Sequence, residues 1–120
     1  EPGSSIIFTT SIQAYDPSKE LLDYAITKAA FNNLAKGLSG ELLPSKGIRV
    51  NAVAPGPIWT VIQPAEGQPE EVVDNFAQGS DIGRPGQPAE LAGAYVFLAS
   101  EDASYISGET LAVTGGALTP

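Results

Sequence analysis

Two short runs, SIIFT at residues 5–9 and IRVNAVA at 48–54, narrow the folds open to this chain more than any other feature. Both are rich in β-branched residues and neither alternates apolar with polar, the pattern of strands covered on both faces. Between them, over residues 21–43, the apolar positions Tyr24, Phe31, Leu34, Leu38 and Leu42 recur at helical intervals. Pro44 and the turn residues Ser45, Lys46 and Gly47 are predicted to stop that helix. A strand, a helix and a strand on short connections form a right-handed crossover between parallel strands.

Past Pro55-Gly56 comes a long excursion rich in Pro and Gly, with one helical candidate at residues 69–78, where Pro69 suits the first position and Glu70 and Glu71 suit the positive end of the dipole. Residues 57–87 are therefore expected to form a lid or pocket wall rather than a simple connector. A second helix is predicted over residues 88–98, opened by Pro88 with Glu90 behind it and closed by the acidic break at Ser100, Glu101 and Asp102. A third apolar strand is expected over 109–116. The order is α/β, with a parallel sheet of about three strands. Ordinary doubly wound domains have about five or six, so residues 1–120 are expected to be a single partial domain whose other half lies upstream.

Composition removes several classes of function. Fourteen acidic residues against six basic give a formal net charge of −8, leaving no cationic surface for a phosphate backbone or an anionic membrane. The chain has no cysteine and no histidine, which excludes disulfides, structural zinc and every Ser–His or Cys–His dyad. No stretch resembles a signal peptide or a membrane span, so a cytoplasmic location is the expectation. Methionine is missing even at position 1, as in a piece of a longer chain or a processed product. There are no internal repeats.

Chemistry concentrates in Ser11, Tyr24 and Lys28. On a helix, Tyr24 and Lys28 share a face one turn apart. A free tyrosine titrates at about 10, but a nearby positive charge favours the phenolate, so Lys28 can make Tyr24 a usable general acid and base. Ser11 follows the first strand on the carboxyl edge, where open α/β sheets bind ligands, and its hydroxyl can hold a substrate oxygen. The plain alternatives are a core tyrosine with a snorkelling lysine and a serine that caps a turn. Tyr15 and Lys19 repeat the four-residue spacing nearby, so spacing by itself is weak. The context of a strand, a crossover helix and a strand ending in Pro-Gly is what raises Tyr24 and Lys28 above it.

Together, the Ser, Tyr-x-x-x-Lys set, GIRVNAVAPGPIWT at 47–60, GRPGQPAELAGAYVFLAS at 83–100 and YISGETLAVTGG at 105–116 resemble the short-chain dehydrogenase/reductase family across essentially the whole chain. The wording around Ser11 and Tyr24 looks most like its bacterial glucose/ribitol dehydrogenase-like and general-stress oxidoreductases. The resemblance implies the C-terminal half of a Rossmann-like sheet and an NAD- or NADP-dependent interconversion of a small-molecule alcohol and carbonyl. In it, Tyr24 is the acid/base, Ser11 polarises the carbonyl, and Lys28 favours the ionised phenol and bonds the nicotinamide ribose. Pro55, Gly56, Ile58 and Thr60 would hold the nicotinamide carboxamide, although Pro55-Gly56 can equally be a turn and Thr60 a cap. Trp59 reads as packing, and Val61, Ile62 and the 69–78 helix as substrate lid. The resemblance also implies a homo-oligomer, a tetramer in the parent, built through 21–43, 88–98 and 109–113.

The chain departs from the family pattern in lacking a glycine-rich loop between a first strand and helix; Gly83 and Gly86 stand in the wrong context to replace it. The residue that tells NAD from NADP and the upstream asparagine of the family's proton relay are likewise missing. The polypeptide alone is therefore expected to bind dinucleotide poorly and turn over little. A second reading is a non-catalytic, self-associating assembly unit with a bare sheet edge. A third is a short protein with an unrelated binding function.

Overall fold

A computed structural model describes residues 1–61 and 80–117. Three strands, β1 (Ser5–Thr9), β2 (Arg49–Pro55) and β3 (Thr110–Val113), form a parallel sheet in the order β1-β2-β3. Two helices, α1 (Leu22–Lys46) and α2 (Pro88–Ala99), flank it. Among the described residues β1 pairs with β2 alone. The predicted 69–78 helix and Ile62 lie outside the described residues.

The alternation of side chains along β1 and β2 assigns each helix to a face. Val50 and Ala52 of β2 and Phe8 of β1 point to one side, where they pack with Ala35, Leu38 and Leu42 of α1. Val53 and Ile7 point to the other, against Leu91, Ala94, Tyr95 and Leu98 of α2. Every residue of β2 from Arg49 to Ala54 is buried, which is why its sequence carries no alternation.

The stripe of α1 that meets the sheet is the expected one at Phe31, Leu38 and Leu42 and departs from it elsewhere. Its most buried residues are Ala25, Ala35 and Ser39, small side chains that let the helix backbone approach the strands. Leu34 and Tyr24 are left exposed. Apolar periodicity tracked the larger side chains, whereas close packing on a sheet selects small ones at the point of nearest approach.

Pro44 does not stop α1, which continues through it to Lys46. A proline in the last turn forfeits only the backbone bond to the Gly40 carbonyl, and the turn beyond it stays closed: Ser45 Oγ donates to the Glu41 carbonyl at 2.5 Å and Gly47 N to the Leu43 carbonyl at 3.0 Å. Gly47 ends the helix, with φ at +66° in the left-handed region.

The remaining elements follow prediction within a few residues. β1 coincides with the expected run, β2 is displaced by one position, and β3 is shorter than the apolar stretch that contains it. Short 3₁₀ turns at Ile12–Ala14, Lys19–Leu21 and Glu101–Ala103 carry no periodic signal and were not expected.

Polar side chains close the amino end of the sheet. The buried Arg49 guanidinium donates to the Leu98 carbonyl at 2.9 Å and the Ser100 carbonyl at 3.2 Å, capping the negative end of α2. Buried Asn51 donates to the Ile106 carbonyl at 2.9 Å and accepts from Glu109 N at 3.0 Å, fixing the loop that leads into β3.

Candidate active site

All three strands end on the same edge because the sheet is parallel, and the chain leaves β1 there through Thr10 and Ser11. Thr10 N donates to the Val53 carbonyl at 2.8 Å, carrying the pairing with β2 one residue past the strand. The buried Thr10 hydroxyl donates to the Lys28 carbonyl at 2.8 Å, and Lys28 Nζ donates to the Thr9 carbonyl at 3.0 Å. Consecutive residues at the end of β1 thus grip both the backbone and the side chain of Lys28.

Tyr24 stands one turn before Lys28. The lysine Nζ lies 5.5 Å from its ring centroid, within the range of a cation–π contact. The tyrosine is 43% exposed. Ser11 is buried, and its Oγ accepts from Gln13 N at 3.1 Å, capping the 3₁₀ turn Ile12–Ala14, which packs against α1. The cap is the plain reading of Ser11. It uses a lone pair and leaves the hydroxyl hydrogen available for a substrate oxygen.

Pro55, Gly56, Ile58 and Thr60 occupy the adjoining part of the same edge. Pro55 is the last residue of β2 and pairs with Val113. Gly56 N donates to the Val113 carbonyl at 2.9 Å, and a Cβ at Gly56 would meet Thr114 Cα at 2.8 Å, so glycine is needed there for the ends of β2 and β3 to approach. Ile58 bridges Gly86: Gly86 N donates to the Pro57 carbonyl at 2.9 Å and Trp59 N to the Gly86 carbonyl at 2.8 Å. In that parallel geometry the amide and carbonyl of Ile58 itself point away from Gly86. Thr60 is partly buried two residues further on.

The same bridge ties the two ends of the 57–87 excursion together. Below it, at the ends of β2 and β3, lies a cavity of about 240 Å³ lined by Pro57, Ile58, Ile82, Arg84, Val113 and Gly115 among others. Ser11, Tyr24 and Lys28 do not line it. Arg84 at its rim makes a two-pronged ion pair with Glu90 at 2.8 and 2.9 Å. The Arg84 hydrogen bonds, then the Gln87 N–H at 2.8 Å, hold the Glu90 carboxyl down at about 2. Glu90 thereby closes the first turn of α2, where Pro88 provides the first helical position.

A dinucleotide's nicotinamide end needs a paired backbone donor and acceptor for its carboxamide and hydroxyl or ammonium partners for its ribose. The outward amide and carbonyl of Ile58 match the first need, and the two Lys28 N–H hydrogens beyond the one given to Thr9 match the second. The donor set therefore fits that half of the cofactor. Among the described residues no cluster of acidic side chains is placed to hold a metal ion, and no helix is long and apolar enough to cross a membrane.

Spacing and context together singled out Tyr24 and Lys28, which lie side by side in the fold, but not Thr9, Thr10 and Phe31 beside them. The threonines act on Lys28 through long-range bonds that leave no local signature. Phe31 was legible, because it is three residues from Lys28 on one helix face and its ring centroid is 5.5 Å from Nζ.

A sheet of parallel strands with a helix crossing from its first strand to its second places Ser11, Tyr24 and Lys28 at the carboxyl edge, where open α/β sheets bind ligands. The family description enoyl-(acyl carrier protein) reductase matches residues 1–118, and the chain belongs to the short-chain dehydrogenase/reductase family. It is 55% identical over 117 residues to the uncharacterized oxidoreductase YhxD of Bacillus subtilis, covering 95% of this chain and 39% of that protein. It is 53% identical over 116 residues to the glucose and ribitol dehydrogenase of Daucus carota, covering 97% and 39%. A solved short-chain dehydrogenase/reductase of Brucella melitensis, described as a glucose/ribitol dehydrogenase, superposes with a TM-score of 0.88 at 32% identity, over 100% of this chain and 47% of that one. The chain thus spans about two-fifths of the length of these curated relatives.

Proposed function

We propose that this chain supplies the proton-handling half of an NAD(P)-dependent oxidoreductase that interconverts a small-molecule alcohol and a carbonyl. The observation that carries the reading is the placement of the Lys28 ammonium, gripped by the Thr9 carbonyl at 3.0 Å and set against the Tyr24 ring on the sheet's carboxyl edge. The nicotinamide cofactor, when bound, supplies or accepts the hydride. Tyr24 gives its phenolic proton to the carbonyl oxygen in reduction and takes the alcohol proton in oxidation. The Lys28 charge stabilises the phenolate left behind and bonds the nicotinamide ribose, while Ser11 donates to the same substrate oxygen as Tyr24. The Ile58 amide and carbonyl hold the carboxamide, with Pro55, Gly56 and Thr60 shaping the loop; the lid expected over residues 57–87 falls at 62–79 outside the described residues.

Without a glycine-rich phosphate loop this polypeptide by itself binds dinucleotide weakly, because one half-site does not fix the reactive carbon against the substrate. The test uses the longest natural polypeptide that carries the chain. Tyr24→Phe is expected to abolish carbonyl reduction while NAD(P)H binding, followed by its fluorescence, stays within about threefold. Undiminished turnover in that variant removes Tyr24 from the reaction.

A second reading, self-association into a homo-oligomer, is favoured by the outer face of α1, where Leu22 and Ile26 are 56% and 64% exposed. Sedimentation of Ile26→Glu against the native protein separates the readings: assembly falls with the charge, whereas the chemistry at Tyr24 responds only if it needs the assembly.

A further inference from the structure

Lys28 carries its charge on a long, flexible stem, and the Thr9 carbonyl alone gives the ammonium one direction. A second is provided from beneath. Helix side chains lean back toward the N-terminus, so Phe31, three residues further along α1, brings its ring under Lys28. The Phe31 centroid is 5.5 Å from Nζ, the same distance as the Tyr24 centroid.

Phe31 is itself immobilised by β1. Its ring stacks on Phe8 with centroids 5.6 Å apart and planes inclined by 28°, and Phe8 packs on the core cluster of Ala35, Val50 and Ala52. A continuous line of contacts therefore runs from the buried face of the sheet, through Phe8 and Phe31, to the ammonium. The face of an aromatic ring attracts a cation through its quadrupole. A leucine in the same place fills similar space and offers no such face.

We propose that Phe31 is a positioning residue whose ring, stacked on Phe8, forms a shelf that with the Tyr24 ring and the Thr9 carbonyl fixes the Lys28 ammonium beside Tyr24. The consequence for turnover rests on the function proposed above; the placement of the ammonium does not. Phe31 touches neither substrate nor cofactor in this role and acts through Lys28.

Protons held over the face of an aromatic ring are shifted upfield in nuclear magnetic resonance, so the ε-methylene of Lys28 reports the shelf directly. In the native protein it is expected upfield of the same group in Lys19, Lys36 and Lys46. Phe31→Leu should remove about half of that displacement and lower turnover about three- to fivefold, the worth of one exposed cation–π contact. Phe31→Tyr, which keeps the ring, should recover most of both.

A Lys28 resonance that matches the other three lysines in the native protein overturns the proposal. So does a Phe31→Leu variant that loses turnover with Lys28 unmoved, since the ring would then matter only for packing. If Phe31→Leu fails to fold, the native spectrum and Phe31→Tyr decide, and loss of the upfield shift in Phe31→Tyr counts against the shelf. If Tyr24→Phe keeps its activity, the proposed function falls while the Lys28 spectrum still tests the shelf.

Discussion

The two cations nearest the ends of the sheet are handled in opposite ways. At the amino end Arg49 is buried and spends its guanidinium on the carbonyls of Leu98 and Ser100. At the carboxyl end Lys28 is partly exposed, bonds one carbonyl and rests against two aromatic rings. The neighbouring polar residues divide the same way: Asn51 is enclosed with its oxygen and nitrogen both paired, whereas Tyr24 is exposed. A buried donor must be matched inside the fold because leaving it bare is costly. A donor left partly unmatched at an open edge keeps its capacity for a ligand. One end holds the strands together, and the other is held by them.

That contrast predicts a separation of stability from activity. Lys28→Met should give the largest effect, a loss of about 10²- to 10³-fold in carbonyl reduction, with unfolding free energy changed by less than about 1 kcal/mol since one exposed hydrogen bond is removed. Steady-state kinetics beside a urea titration check both halves, and a destabilisation of several kcal/mol would place Lys28 with the structural cations instead. Asn51→Ala should do the reverse. It strands the Ile106 carbonyl and the Glu109 amide, at a cost of about 2–3 kcal/mol, while the turnover of the molecules that remain folded is retained.

Gly56→Ala sharpens the boundary between the two ends. A Cβ 2.8 Å from Thr114 Cα forces β2 and β3 apart at their carboxyl ends, with an expected destabilisation of about 1–3 kcal/mol. Cofactor binding should weaken as well, because Ile58 lies two residues further on; a variant as stable as the native protein would show that the strand ends yield more easily than their packing indicates.

The smallest effect is expected from acid. The Glu90 carboxyl lies at about 2 in the fold, below the unfolded value of about 4.3. Its contribution to the first turn of α2 is therefore complete above that unfolded value and fades as pH falls toward 2. Solvent and salt screen so exposed a pair. The Gln87 amide resonance should move through that window in the native protein and stay still in Glu90→Gln.

How much of this was legible in the chain depended on the range of the interaction. The strand at Ser5–Thr9 follows from five residues alone, and Tyr24 and Lys28 from helical spacing. Pro44 misled because its ring forbids a bond that the last helical turn can forgo, and Leu34 misled because nearness to the sheet favours Ala35. Nothing local marks Thr9 and Thr10 as the partners of Lys28, which lies 19 and 18 residues away, respectively. Ser11 belongs to both categories: its capping role is local, and its availability to a substrate is set by where β1 ends.

The paired grip of Thr9 and Thr10 on Lys28 has a mechanical consequence. With the lysine's main chain bonded by one threonine and its tip by the other, a lengthwise slip of α1 over β1 acts on both bonds at once. A ratchet of one turn, about 5.4 Å, would break both clasps together.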